Sequence, residues 1–124
     1  MDSRHLAQTL KALLDDKKAQ DILLIDLTER ASIADYFLIA TGTSSTHVAA
    51  LAEEVDRFAW QNKLPSMGIE GLPEALWVLV DLGDVVVHVF QAEIRKLYDL
   101  ERLWQHPRGS MPLAAAQLAS GGAG

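Results

Sequence analysis

The chain contains no cysteine, which excludes disulfides and thiolate-held metals. It has no apolar run approaching the ~20 residues needed to span a bilayer, so no membrane is expected as a partner. Its opening, MDSRHLAQTL, lacks the apolar core of a secretion signal and the Arg-rich, acid-free character of a transit peptide. The cytoplasm is therefore the expected compartment. Clustered positive charge is missing too: no basic run exceeds the pairs Lys17-Lys18 and Arg95-Lys96. With 17 acidic against 11 basic residues, the formal net charge is −6. Nucleic-acid binding rests on grouped Lys and Arg that neutralise phosphates, so no direct, sequence-specific grip on RNA or DNA is expected. A basic protein is the better match, because opposite fields speed encounter. The same acidity also serves simply to keep a small protein soluble.

What remains is a chain of 124 residues, the size of one domain. Such a domain buries roughly two thirds of the surface its unfolded chain exposes, enough for a core without staples. The stretch that organises it is Leu76 to Phe90, LWVLVDLGDVVVHVF. Val, Leu and Trp fill two strand-like arms around a tight turn at Leu82-Gly83-Asp84. Strand side chains alternate between faces. Leu76, Val78, Val80 and Leu82 thus share an aliphatic face that belongs in the core, while Trp77, Leu79 and Asp81 share the other. In the second arm Val85, Val87 and Val89 alternate with Val86, His88 and Phe90. A face carrying a Trp and a carboxylate suits a sheet surface left open to a partner. Spacing alone allows equally that Trp77 only roofs the core.

The flanking segments complete the pattern. Leu6, Leu10, Leu13 and Leu14 form an apolar stripe that predicts a helix over 3–18, capped by Ser3. Ile22 to Leu27 is apolar on both faces and predicts a strand inside a sheet, followed by a turn from Thr28 to Ser32. Tyr36 to Thr41 is a second strand. The break Gly42-Thr43-Ser44-Ser45 is rich in capping residues and precedes a helix from Thr46 to about Asn62. Val48, Leu51, Val55 and Phe58 are its buried stripe. Pro65 blocks further helix, and a short strand from Met67 to Glu70 leads through Gly71 and Pro73 into the hairpin. After Phe90, apolar Ile94, Leu97, Tyr98 and Leu100 onward to Trp104 interleave with charges, predicting a third helix ended by Pro107 and Gly109. Residues 107–124 read as a flexible low-complexity tail on a folded domain of residues 1–106. A strand–helix–strand unit implies parallel pairing, and the hairpin adds antiparallel pairing. The expected class is α/β: a single small domain with a mixed sheet of about five strands packed by about three helices, too few to cover both faces fully.

No catalytic constellation emerges. The Thr41–Ser45 loop opens a helix, where amides can hold phosphate, but it lacks the GxxxxGK[ST] spacing and its Lys. A capped turn explains it. Glu53 and Glu54 are adjacent, so they diverge around a helix and cannot chelate one magnesium ion. Asp81 and Asp84 bracket the hairpin turn and read as turn formers. His5, His47, His88 and His106 show no metal spacing, and His47 beside its serines lacks an orienting acid and an oxyanion pocket. No enzyme, metal or cofactor is expected.

The stretches DDKKAQDILLIDL, SIADYFLIATGTSSTHV, GIEG, WVLVDLGDVVVHVF and RKLYDLERLW follow one another within about residues 9 to 105. In that order and spacing they resemble the ribosomal silencing factor family, RsfS, also called Iojap. The resemblance implies a nucleotidyltransferase-like fold without the catalytic carboxylates, and a role with no catalysis. It implies binding to the large ribosomal subunit, through its fourteenth large-subunit protein, at the surface that meets the small subunit. Occupancy there blocks subunit joining and lowers translation when nutrients are scarce. With no organellar presequence in view, the chain looks like a bacterial, cytoplasmic member. On the family's motif positions, Trp77 is the expected central anchor. Glu70, Asp81 and Glu101 are expected to face basic groups, and Tyr98 to fill an anchor or rim position. His88, Arg95 and Lys96 are further candidates. A nucleotide-using enzyme on the same fold, centred on Thr43, Ser44 and Asp81, is the rival expectation. An exposed sheet edge and apolar patch also allow a homodimer.

Overall fold

The structure is a computed structural model that describes residues 2–29, 33–100 and 102. The elements run α1 (Ser3–Asp16), β1 (Gln20–Asp26), β2 (Tyr36–Gly42), α2 (Ser45–Gln61), β3 (Gly68–Glu70), β4 (Trp77–Asp81), β5 (Val85–Gln91) and α3 (Ala92–Tyr98). The strands form one sheet in the order β1-β2-β5-β4-β3. Its central pair, β2 and β5, is parallel, and the other three pairings are antiparallel. The mixed five-stranded sheet with three helices expected from the sequence is the one observed.

Both long helices form because an apolar stripe recurs at helical spacing and a side chain caps the first turn. In α1 the buried residues are Leu6, Ala7, Leu10 and Leu14. Its cap is Asp2, not Ser3: the Asp2 carboxylate accepts from the His5 amide at 2.7 Å. The helix stops at Asp16 instead of continuing to residue 18, with Lys18 in the left-handed region at φ 71°. In α2 the Ser44 hydroxyl accepts from the His47 amide, and Val48, Leu51, Ala52, Val55 and Ala59 are buried. Both helices cover one face of the sheet, where Leu38, Ala40, Val78, Val80, Leu82, Val85, Val87 and Val89 complete an almost wholly aliphatic core.

The second face is covered more fully than the helix count suggests. It is covered over most of its area and stays partly exposed at Glu70 and Trp77: Phe37, Ile39, Leu79, Val86 and Phe90 pack with Ile25, Leu27, Ala34 and Leu100, and Ile33, Trp77 and Ile94 lie against them. The cover is short-range. α3 ends at Tyr98, Asp99 takes a left-handed conformation at φ 48°, and Leu100 beyond it is 1% exposed. The helix read as continuous to Trp104 therefore breaks at Asp99. Glu101, Trp104 and the tail at 107–124 lie outside the described residues, as does most of the turn expected before β2. The covered second face also explains β1. Its apolar character on both sides comes not from an interior position, since β1 is an edge strand, but from a sheet packed on both faces up to its rim.

Candidate functional site

The register of the sheet decides which side chains meet. Trp77 opens β4 opposite Phe90, and Leu79 sits between Glu70 on β3 and His88 on β5. Directly opposed residues share a face, so Glu70, Trp77, Leu79, His88 and Phe90 all project to the second face. There the Trp77 indole stacks on Phe90, with ring centres 4.9 Å apart, and Tyr98 of α3 packs against it at 4.8 Å. Trp77 is half-buried, and Tyr98 keeps 36% of its surface in water. Trp77 is thus both a roof on the core and a surface residue, so the two readings left open by the sequence are combined.

Beneath the indole lies His88, which is 0% exposed. The Trp77 Nε1–H donates to His88 Nδ1 at 3.0 Å. An Nδ1 that accepts carries no proton, so the neutral ring holds its hydrogen on Nε2. That Nε2 is buried and finds no partner among the described residues. Phe37 meets the imidazole edge-on at 4.6 Å. Burial pushes the His88 pKa down to about 3. The ring therefore stays neutral across the physiological range.

The backbone leading into Trp77 is held as firmly. Gly71 has φ +84°, and a Cβ there would drive into the Trp77 carbonyl. Ala75, buried two residues before Trp77, is left-handed at φ 52°. Its carbonyl accepts from Gln91 Nε2 at 3.0 Å, while the Leu76 carbonyl accepts from the Gln91 amide at 3.0 Å. Asp99 is left-handed just past Tyr98. Conformations of this kind persist where surrounding structure over-determines them, and here they flank the aromatic pair. Gly71, Glu74, Leu76, Trp77, Ile94 and Tyr98 line a shallow groove of about 170 Å³.

The sequence-derived candidates separate into three groups. Trp77, Tyr98 and Glu70 share the second face, with Lys96 exposed on α3. Arg95 is half-buried and works within the chain: its guanidinium donates to the Asp21 carbonyl at 2.6 Å and the Thr41 hydroxyl at 2.8 Å, tying α3 to the sheet. Two expectations are corrected. His88 cannot touch a partner, because sheet and indole enclose it. Asp81 is only 8% exposed and its Oδ1 accepts the Gly83 amide at 2.8 Å, so it serves the hairpin turn. Glu101 lies outside the described residues.

Sequence reasoning also missed residues. Leu76 was expected in the core, yet it precedes the strand and is 45% exposed. Glu74 was not singled out, and Leu97 is 74% exposed beside Tyr98. The alternation pattern extends smoothly through Leu76, and only Pro73 hinted at a broken entry. The serine-rich loop proves to be a tie. His47 Nδ1 accepts the Thr43 amide at 2.9 Å, which leaves Nε2–H to donate to the Lys17 carbonyl at 3.0 Å, linking the end of α1 to the start of α2. A further hollow of about 450 Å³ carries both signs of charge, lined by Asp21, Thr41, Glu93, Arg95, Lys96 and Asp99. Among the described residues, no three of His, Cys, Asp or Glu gather where they could hold a metal. No described helix is long and apolar enough to cross a membrane.

Comparison with known proteins adds a second line of evidence. A family model described as "ribosomal silencing factor during starvation" matches residues 1–120. The chain is 46% identical over 114 residues to the ribosomal silencing factor RsfS of Bacillus subtilis, covering 92% of this chain and 93% of that one. It is 35% identical over 98 residues to the mouse mitochondrial assembly of ribosomal large subunit protein 1, covering 77% of this chain but 43% of that protein. A crystal structure of a Chromobacterium violaceum protein superposes with a TM-score of 0.82 at 35% identity, covering 94% of this chain and 97% of that one.

Proposed function

Since the chain belongs to the ribosomal silencing factor family, we propose that it binds the large ribosomal subunit through that subunit's fourteenth protein and sterically blocks joining with the small subunit. In this reading it represses translation under nutrient limitation, in the cytoplasm. A block of this kind requires occupancy of a surface and no turnover. The family description refers to starvation, and the mouse relative's name refers to the large subunit.

The observation that carries the reading is the Trp77–Tyr98 pair, held at the surface by a rigid backbone and rimmed by Glu70, Glu74 and exposed Leu76. Trp and Tyr are the usual energetic anchors of protein interfaces, seated in an apolar patch with a polar rim. The net charge of −6 favours a basic partner and a fast encounter. Trp77 is the anchor, Tyr98 and Leu76 extend it, and Glu70 and Glu74 steer it. Lys96, exposed on α3, is a rim contact.

Two measurements test this. Purified small and large subunits are mixed with an excess of the protein, and joined particles are quantified by sedimentation; the expected result is a marked fall in joining, and normal joining overturns the reading. In the same gradients Trp77→Ala, shown folded by circular dichroism, should co-sediment with large subunits at least about tenfold more weakly, the loss typical of a strong interface anchor. Unchanged co-sedimentation overturns the assignment of this surface.

A further inference from the structure

His88 has no surface of its own, yet it is hydrogen-bonded to the centre of the aromatic patch. Its Nδ1 takes the Trp77 indole hydrogen at 3.0 Å, and Trp77 and His88 are diagonal neighbours on adjacent strands. We propose that His88 is a positioning residue: its buried imidazole locks the Trp77 indole into the one orientation that the partner reads. The inference rests on the assignment of Trp77 as the anchor.

Three observations support it. The bond is chemically selective, since only an unprotonated Nδ1 can accept, and burial keeps the ring neutral with a pKa of about 3. The arrangement leaves His88 Nε2 buried without a partner among the described residues. A valine or leucine in this strand would have avoided that unsatisfied group, and all the other β5 residues from Val85 to Phe90 are apolar. The indole has a flat stacking contact with Phe90 on one ring and a tilted one with Tyr98. Stacking alone lets a ring slide and flip, whereas an N–H bond to a fixed acceptor defines one in-plane orientation.

The test separates the acceptor from the ring. His88→Asn keeps an acceptor near the place of Nδ1; His88→Phe keeps a ring against Phe37 and removes the acceptor; Trp77→Phe removes the donor and leaves His88 untouched. Each is assayed by co-sedimentation with purified large subunits, beside ¹⁵N spectra in which the Trp77 indole N–H is identified by its loss in Trp77→Phe. Expected are a tenfold or greater loss of affinity in His88→Phe with a shifted, fast-exchanging Trp77 indole signal, and recovery to within about threefold of the parent in His88→Asn. In a Trp77→Phe background, His88→Phe should cause no further loss, because the bond is already gone. If Trp77→Ala weakens binding but His88→Phe binds as the parent does, the positioning role is overturned and the anchor stands. If Trp77→Ala itself binds as the parent does, both fall. Should His88→Phe fail to fold, His88→Leu takes its place as the variant without an acceptor: a loss of at least fivefold with an altered Trp77 indole signal upholds the proposal, and parent-like binding overturns it.

Discussion

The two faces of the sheet are packed by different means. The first is aliphatic and lies under α1 and α2, two helices of 14 and 17 residues with side-chain caps. The second lies under α3, seven residues long without a side-chain cap, and carries Phe37, His88, Phe90, Trp77 and Tyr98. Aliphatic packing over a large area is non-directional and supplies stability. Aromatic stacking with one hydrogen bond is directional and supplies orientation. The two kinds of packing are separated by the thickness of one sheet.

That division can be broken by experiment. The largest effect is expected on the first face. Leu51, 1% exposed on α2, should cost about 3 kcal/mol when cut to alanine, read by chemical denaturation. The folded fraction should keep its affinity for large subunits; a weaker folded fraction would show that the faces are not independent. Gly71→Ala attacks the second face through the backbone, combining a left-handed φ with a clash against Trp77, and should cost about 2 to 3 kcal/mol. Unlike Leu51→Ala it should also displace the indole and weaken binding.

Acid probes the second face without mutation. The folded His88 pKa of about 3 lies below the ordinary 6.5. As pH falls below 6.5, unfolded chains take up a proton that folded chains refuse, so stability is lost progressively toward pH 3. From pH 7 to pH 5 the loss through this one group is about 2 kcal/mol. In His88→Phe that part of the slope should vanish; a profile as steep as the parent's would place the acid sensitivity elsewhere. The smallest expected effect is Ser44→Ala, which removes the cap of α2 for about 1 kcal/mol and should leave binding unchanged.

The first face was readable because its signals are local. The stripes through Leu6, Leu10 and Leu14 and through Val48, Leu51 and Val55 each follow one helix, and the hairpin follows from alternating valines around Gly83. The second face depends on contacts distant in sequence. Nothing near Asp99 announces that the chain leaves the helix there and returns Leu100 to the sheet, and nothing near Ala75 announces a left-handed alanine that turns Leu76 outward. Asp81 looked available because strand alternation gives a face, not whether that face is covered. Trp77 and Tyr98 stand out as candidates through the family resemblance, but their contact, and the imidazole beneath them, come only from the assembled sheet.

The parallel pairing of β2 with β5 at the centre of that sheet has a consequence for how the molecule comes into being. Residues 43–84 separate the two strands along the chain. A growing polypeptide that has reached Glu70 owns only the β1–β2 pair, and two strands alone are marginal in water. The tryptophan patch waits for Gln91, whose amide and side chain anchor the approach to Trp77. A chain cut before Gln91 would lack both ties behind Trp77, and one cut before Tyr98 would lack half of the aromatic pair, so the patch belongs to the nearly finished sheet and its third helix.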